Sequence, residues 1–393
     1  MEDSTKILTL GHGGNSRGIQ ASIELGGSDS QSSGVEALDP LASYAESLKG
    51  MIRAHEPSAT LTHPSLGITD KNGQGVPQDA EAQYSLGVRY QEGHGVPQED
   101  ALAVSWYRQA AEQGHAEAQN NLGVMYAHGR GVPQDDALAV AWYRKAAEQG
   151  HAEAQNNLGV MYVEGSGVPQ DDELAVNWYH KAVAQGNANA QNNLGFMYSY
   201  GRALPQDDEL AVNWYHKAVA QGNATAQNNL GTMYTHGRGL PQDEALAVTW
   251  FRKGAEQGSA SAQNNLGAMY ANGRGVPQDD ELAATWYRKA AEQGNADAQT
   301  WLGFMTEKGR GVPQKDELAA TWYRKAAEQG NAYAQNNLGI MYYKGCGVPQ
   351  NNELAMSWFR KAAEKGHPKA QNNLGLVTEK GCGVSEEDDW VDI

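Results

Sequence analysis

The sequence predicts an all-α protein, an α/α solenoid of about eight 36-residue helix hairpins followed by a terminal half-repeat. Three observations carry that prediction. Proline recurs every 36 residues, at Pro97, Pro133, Pro169, Pro205, Pro241, Pro277, Pro313 and Pro349. Tryptophan keeps the same interval, at Trp106, Trp142, Trp178, Trp214, Trp250, Trp286, Trp322 and Trp358. Each copy also holds two stretches of helical apolar spacing, and such a hairpin can bury its apolar faces only against its neighbours. The aromatic content agrees: ten Trp and 18 Tyr stand beside four Phe in 393 residues, as when one short segment is copied many times.

Residues 1–70 differ in kind. They are rich in Gly, Ser and Thr, lack the 36-residue echo and, with Lys71 included, carry five basic and nine acidic side chains. This composition predicts a flexible extension with one amphipathic helix over 35–54, interrupted by Pro40. A targeting segment and a partner-binding arm are both open roles for it. The solenoid is expected over 71–383 and starts abruptly. Pro77 precedes Pro97 by only 20 residues, so the helix that would lie between them is missing and the first helix is Ala80 to Gln91. Copies follow at about 80–115, 116–151, 152–187, 188–223, 224–259, 260–295, 296–331 and 332–367, with a half-repeat at 368–383. Residues 384–393 form an acidic tail.

The copy 116–151 shows why each half is helical. In AEAQNNLGVMYAHG, Ala118, Leu122 and Met125 fall at i, i+4 and i+7, on one helical face. Gly123 beside that face costs up to about 1 kcal/mol in a helix, which predicts the close approach of a neighbouring backbone. Gly129 is placed for a left-handed C-cap, and Asp135 or Asp136 for the N-cap of the second helix. That helix, ALAVAWYRKAAEQ, aligns Ala139, Trp142 or Tyr143, and Ala146 before Gly150 ends it. Asn187, Asn223, Asn295 and Asn331 are expected caps of the helices that follow them.

Composition removes several function classes. The formal charge of −17 has the wrong sign for a nucleic-acid binder. Two cysteines exclude a disulfide scaffold and a tetrahedral cysteine zinc site. No run approaches the roughly 18 apolar residues of a membrane span. The start MEDSTKILTLGHGG has no basic segment leading into an apolar one, so a Sec signal is not expected. A cytoplasmic location is expected, with export by another route still open.

The pattern A-x-x-x-L-G-x-x-Y-x-x-G-x-G-V-P-x-D, then A-x-x-W-Y-x-K-A-A-x-x-G, resembles the Sel-1-like repeat, a relative of the tetratricopeptide repeat, over about Gly73 to Gly383. The resemblance implies a right-handed superhelix that acts as a scaffold or adaptor and holds its ligands on the concave side. It implies a protein or peptide partner, no enzyme activity and no cofactor; a monomer is expected. An exported or envelope-associated protein, such as a secreted effector or the immunity partner of a toxin, is the alternative. An enzyme with an unrecognised site is the third reading.

Comparing copies within the chain locates candidate binding residues. In the first helix the columns of Glu117, Val124, Ala127 and His128 vary; with Asn120 they form one stripe away from the Ala118–Leu122–Met125 face. The tetratricopeptide resemblance puts this stripe on the concave surface. The stripe is acidic early, through Glu81, Glu117 and Glu153, and basic late, through Lys308, Lys344 and Lys380. It is expected to orient an extended ligand with opposite charges at its ends; neutral drift is the competing account. The asparagine pairs, Asn120/Asn121 onward, have two readings. Asn120, Asn156, Asn192, Asn228 and Asn264 could form an amide ladder gripping a peptide backbone, or one member of each pair could bond a neighbouring helix. The groove is preferred for Asn120 and the structural role for Asn121. One copy breaks the pattern: Thr300-Trp301 replaces the pair, Thr306 replaces the usual Tyr, and Tyr333 follows. Aromatic residues dominate binding hot spots, so Trp301 and Tyr333 are candidate contacts, unless Trp301 merely fills the space left by Thr306.

No catalytic or metal-ligating constellation is expected. His180 and His216 occupy adjacent copies without a third ligand, and Cys346 and Cys382 lie one repeat apart, too far for a disulfide. No phosphate loop, catalytic triad or H-E-x-x-H motif is present.

Overall fold

The computed structural model describes residues 78–380 and a short antiparallel pairing of Ile7–Leu8 with Ile19–Gln20. The expected helix at 35–54 and the acidic tail lie outside the described residues. Over 78–380 the chain is an α/α solenoid. Seventeen helices follow in order, from Ala80–Glu92 and Asp100–Glu112 to Asn352–Glu364 and Ala370–Lys380. The first sixteen have 13 residues each, a first and a second helix for each of eight repeats. The chain divides into two compact units, Met1–Ala218 and Val219–Ile393.

Capping sets the helix boundaries. Asp79, His115, His151, Asn187, Asn223, Ser259, Asn295 and Asn331 each accept the backbone N–H three residues on, satisfying one of the orphan donors of a first helix. Asp135, not Asp136, does this for the second helix of its repeat, accepting from Leu138 N at 2.9 Å. Gly129 ends Ala116–His128 with φ 62° and ψ 32°, the left-handed cap expected.

The core lies where helices meet. Ala118, Leu122 and Met125 are fully buried, as are Ala139, Tyr143 and Ala146 of the facing helix. Gly123 is approached by backbone, as its sequence context suggests, with Ala139 O 3.2 Å from where a Cβ would lie, and more closely still by a ring. A Cβ there would lie 2.7 Å from Cδ1 and Cε1 of the Tyr143 ring, so the glycine chiefly admits an aromatic ring. Gly87, Gly159, Gly195, Gly231, Gly267, Gly303 and Gly339 repeat the arrangement against Tyr or Phe. A buried ring of this size contributes about 1.5–3 kcal/mol.

Polar struts tie repeat to repeat. Gln119 Nε2 donates to Ala111 O of the preceding second helix at 3.0 Å, and Gln119 Oε1 accepts from Gln149 Nε2 at 2.7 Å. Arg130 forms a two-pronged pair with Asp100 one repeat earlier, at 2.9 and 3.2 Å, and Arg310 does the same with Asp280.

Candidate functional site

The asparagine pairs form a ladder inside the seam between first helices. Asn157 Nδ2 donates to Asn120 Oδ1 at 3.1 Å, Asn193 to Asn156 at 2.9 Å, Asn265 to Asn228 at 2.9 Å and Asn373 to Asn336 at 2.8 Å. Within pairs the first amide also donates to the second, as in Asn120 to Asn121 at 3.4 Å and Asn192 to Asn193 at 3.2 Å. Both columns therefore join helix to helix, and the two readings of the pair collapse towards the structural one. Asn156 and Asn192 are fully covered, Asn120 and Asn228 nearly so, and Asn264 is part-buried. Adjacent first helices come close enough for the amides of one copy to bond those of the next.

The ladder stops at the first repeat, where Tyr84-Ser85 stands in the Asn-Asn columns. With no amide to meet, Asn121 hydrogen-bonds instead with the phenols of Tyr84 and Tyr107. A cavity of about 290 Å³ opens there. It is lined by Tyr84, Val88, Gln91, Glu92, Tyr107, Glu117, Asn120, Asn121, Val124, His151 and Glu153. Two of the three acidic candidates, Glu117 and Glu153, are in its wall. The third, Glu81, is exposed and accepts from His115 Nε2 at 3.0 Å.

The electrostatics of this cavity are one-sided. Burial pushes the Glu153 carboxyl above the usual carboxylate range, and among the described residues it has no ion-pair partner. Burial, then the carboxylate of Glu117, and further those of Glu81 and Glu153, raise the Tyr84 phenol, with the Asn121 hydrogen bond acting the other way. His151 caps its helix by accepting Ala154 N–H at Nδ1, 3.1 Å away, so its proton sits on Nε2; burial holds its pKa below the ordinary value. Sequence reasoning missed Tyr84, Tyr107 and Gln91, and gave Asn121 a structural role only. The signal was Tyr84-Ser85, a break in the same columns as Thr300-Trp301 but in the first copy.

In the C-terminal unit Trp301 is part-buried, stacked on Tyr287 with centroids 6.1 Å apart and edge-on to Phe304 at 6.0 Å. Thr306 is buried, its hydroxyl donating to Leu302 O at 2.7 Å. Tyr333 is 41% exposed and meets His367 edge-on at 4.7 Å. Trp301 and Tyr333 thus have separate ring partners. Lys308 pairs with Glu307 at 2.9 Å, which offsets its charge, and Lys344 is exposed at the end of Ala332–Lys344. Lys380 ends the last described helix; its side chain lies outside the described residues. Cys346 is an exposed free thiol, and Cys382 lies outside the described residues. Among the described residues no three His, Cys, Asp or Glu side chains are grouped to hold a metal ion, and no helix is long and apolar enough to cross a membrane.

Stacked helix hairpins with capped ends and a polar seam define a repeat scaffold. The Sel1 repeat model matches residues 80–115, 116–151, 152–187, 188–223, 224–259, 260–295, 296–331 and 332–367, and the chain belongs to the Sel1 repeat family, whose members are generally protein-interaction scaffolds. Among solved structures, a Sel1 repeat protein from Oxalobacter formigenes is 34% identical, with a TM-score of 0.53 over 84% of this chain and 93% of that one. The protective antigen c5321 of uropathogenic Escherichia coli is 37% identical, with a TM-score of 0.46 over 86% of this chain and 83% of that one. The immunity protein Pa5087 from Pseudomonas aeruginosa is 24% identical, with a TM-score of 0.40 over 60% of this chain and 88% of that one. No curated relative matches the chain.

Proposed function

We propose that this protein is a non-enzymatic scaffold that holds an extended segment of a partner protein against the first helices of its N-terminal unit. The single observation that carries the reading is the cavity at Tyr84, Glu117 and Glu153, where the amide ladder ends and aromatic and acidic side chains replace it. Elsewhere in that unit the equivalent seam is closed by amides bonded to each other, which leaves a ligand little to replace. A preformed wall of capped helices lowers the ordering cost of binding, so a short segment gains affinity from few contacts. The carboxylates favour a partner segment of positive charge, and the net charge of −17 gives the encounter the same sign of steering.

The test is selection of peptides from a displayed random library against the full chain, followed by binding measurements on the winners. Tyr84→Ala should weaken them at least about tenfold, a loss on the scale of one aromatic anchor, whereas Lys181→Ala on a second helix should leave them unchanged. Winners that bind wild type and Tyr84→Ala equally would place the binding surface elsewhere.

A further inference from the structure

We propose that the cavity at the first three repeats takes the guanidinium of an arginine side chain carried by the partner segment. This rests on the scaffold reading and names the chemistry of its anchor. Glu92, Glu117 and Glu153 bring carboxylates from three successive first helices, Tyr84 and Tyr107 bring aromatic rings, and no Lys or Arg lines the cavity. Glu92 is partly engaged by His94, whose Nδ1 lies 2.9 Å away, and Glu117 is exposed to water, the nearby His115 Nδ1 being taken up as acceptor of the Ala118 N–H. Glu153 is neither: it is part-buried with no ion-pair partner among the described residues. A carboxylate withdrawn from water without a counter-ion is a standing cost that an arriving cation removes.

Three features select a planar cation over a point charge. A guanidinium stacks on phenol rings, and it is weakly hydrated and so cheaper to bury than an ammonium. Its five N–H donors match the oxygens of several carboxylates at once, whereas the amide oxygens of Gln91, Asn120 and Asn121 in the wall already accept from Tyr107, Asn157 and Asn120. The position is particular to this end of the array. Of the nine copies only the first puts an aromatic ring, Tyr84, in the column that Asn120 begins.

The experiment titrates the full chain with acetyl-Gly-Gly-Arg-Gly-Gly-amide and with versions carrying citrulline or lysine in place of arginine, following backbone amide shifts by NMR. Citrulline keeps the shape of arginine and removes its charge. The arginine peptide should saturate and move amides near Asn120 to Val124. The citrulline peptide should bind at least about tenfold more weakly, and lysine should fall between them. Glu153→Gln should weaken the arginine peptide at least about tenfold while its thermal unfolding stays at or above wild type, because the substitution removes an uncompensated buried charge. Absence of saturable arginine binding, equal affinity for citrulline or lysine, or indifference to Glu153→Gln would each overturn the assignment. Displayed peptides that depend on Tyr84 yet contain no arginine would also overturn it while leaving the scaffold reading intact.

Discussion

Replacing Tyr143 and Tyr179 with phenylalanine should stabilise the N-terminal unit, against the usual cost of altering a core. Both side chains are fully buried, and both hydroxyls lack a hydrogen-bond partner among the described residues. The cause is visible by comparing copies. Tyr107, one repeat earlier, donates to Gln91 Oε1, and Tyr323 donates to Glu307 Oε2 at 2.9 Å. The residues in the Gln91 column opposite Tyr143 and Tyr179 are Ala127 and Val163, which offer no acceptor. The second candidate partner is also engaged. Asn121 reaches Tyr107 and Asn337 reaches Tyr323, but Asn157 and Asn193 are bonded to the ladder amides Asn120 and Asn156. Phe251 and Phe359 already occupy this column, so the ring alone is tolerated.

An unpartnered interior hydroxyl costs about 1–3 kcal/mol, and the small void left by its removal returns a few tenths, so each substitution should gain about 1 kcal/mol. The 141 described residues of this unit, 78–218, unfold with about 0.3 kcal/mol/K of entropy, which converts each gain to a rise of about 3 °C. Tyr107→Phe and Tyr323→Phe should instead lose about 1–2 kcal/mol, since each breaks a made bond. Because repeat arrays unfold in parts, the measurement is hydrogen exchange of the helices Asp136–Glu148 and Asp172–Ala184 alongside urea unfolding. Equal destabilisation by Tyr143→Phe and Tyr107→Phe would refute the reasoning.

Three further outcomes follow from the same copy-by-copy comparison. Ala203 has φ 52° where other repeats have glycine; Ala203→Gly should raise stability by about 0.5–1 kcal/mol after the entropy of glycine is counted, read as the urea midpoint. Gln335 Oε1 is buried and unpartnered because Lys365 stands where Gln149 and its equivalents donate; Lys365→Gln should gain about 1 kcal/mol and slow exchange in Asn352–Glu364. Acidification should cost stability through the histidines. Burial holds His151 below its ordinary pKa, and burial with Lys369 holds His367 down to about 4, so the unfolded chain takes up their protons first. Their contribution is complete above about pH 6.5 and is lost as the pH falls, for His367 between about 6.5 and 4. The raised carboxyls of Glu153 and Glu164 act in the opposite sense at lower pH. His151→Asn keeps a capping side chain, as Asn187 does, and should shrink the fall in urea midpoint between pH 7.5 and 5.5; an unchanged fall would remove His151 from the account.

The fold was legible because each copy states it locally: a cap, an apolar stripe, a left-handed glycine and a proline-marked loop, repeated in register. What pattern could not distinguish was a polar residue facing water from one facing its own counterpart in the next copy. Asn120 and Glu117 share a helical stripe, yet Glu117 is exposed and Asn120 is buried against Asn157. Polarity reads the same in both cases, and only the closeness of the neighbouring helix separates them. At Gly123 the missing side chain announces a close neighbour but not that the Tyr143 ring comes nearer than the Ala139 backbone.

A ladder of identical amides is self-consistent only while the copies stay identical, and it is interrupted at two of them. At the first repeat Tyr84 ends it, and a cavity with an uncompensated carboxylate opens. At the seventh, Thr300-Trp301 interrupts it, and Asn264 Oδ1 of the preceding copy is left buried without a donor among the described residues. Both breaks replace amide with aromatic, and both release an asparagine, Asn121 or Asn337, to bond the tyrosine of the preceding second helix. The two differ in what fills the gap. Trp301 packs on Tyr287 and Phe304, so its break is closed by the protein itself, whereas the break at Tyr84 is left as open volume walled by acid. The open break leaves room for an occupant and the closed one does not, which is why the proposed partner anchor lies at Tyr84 and Glu153 rather than at Trp301.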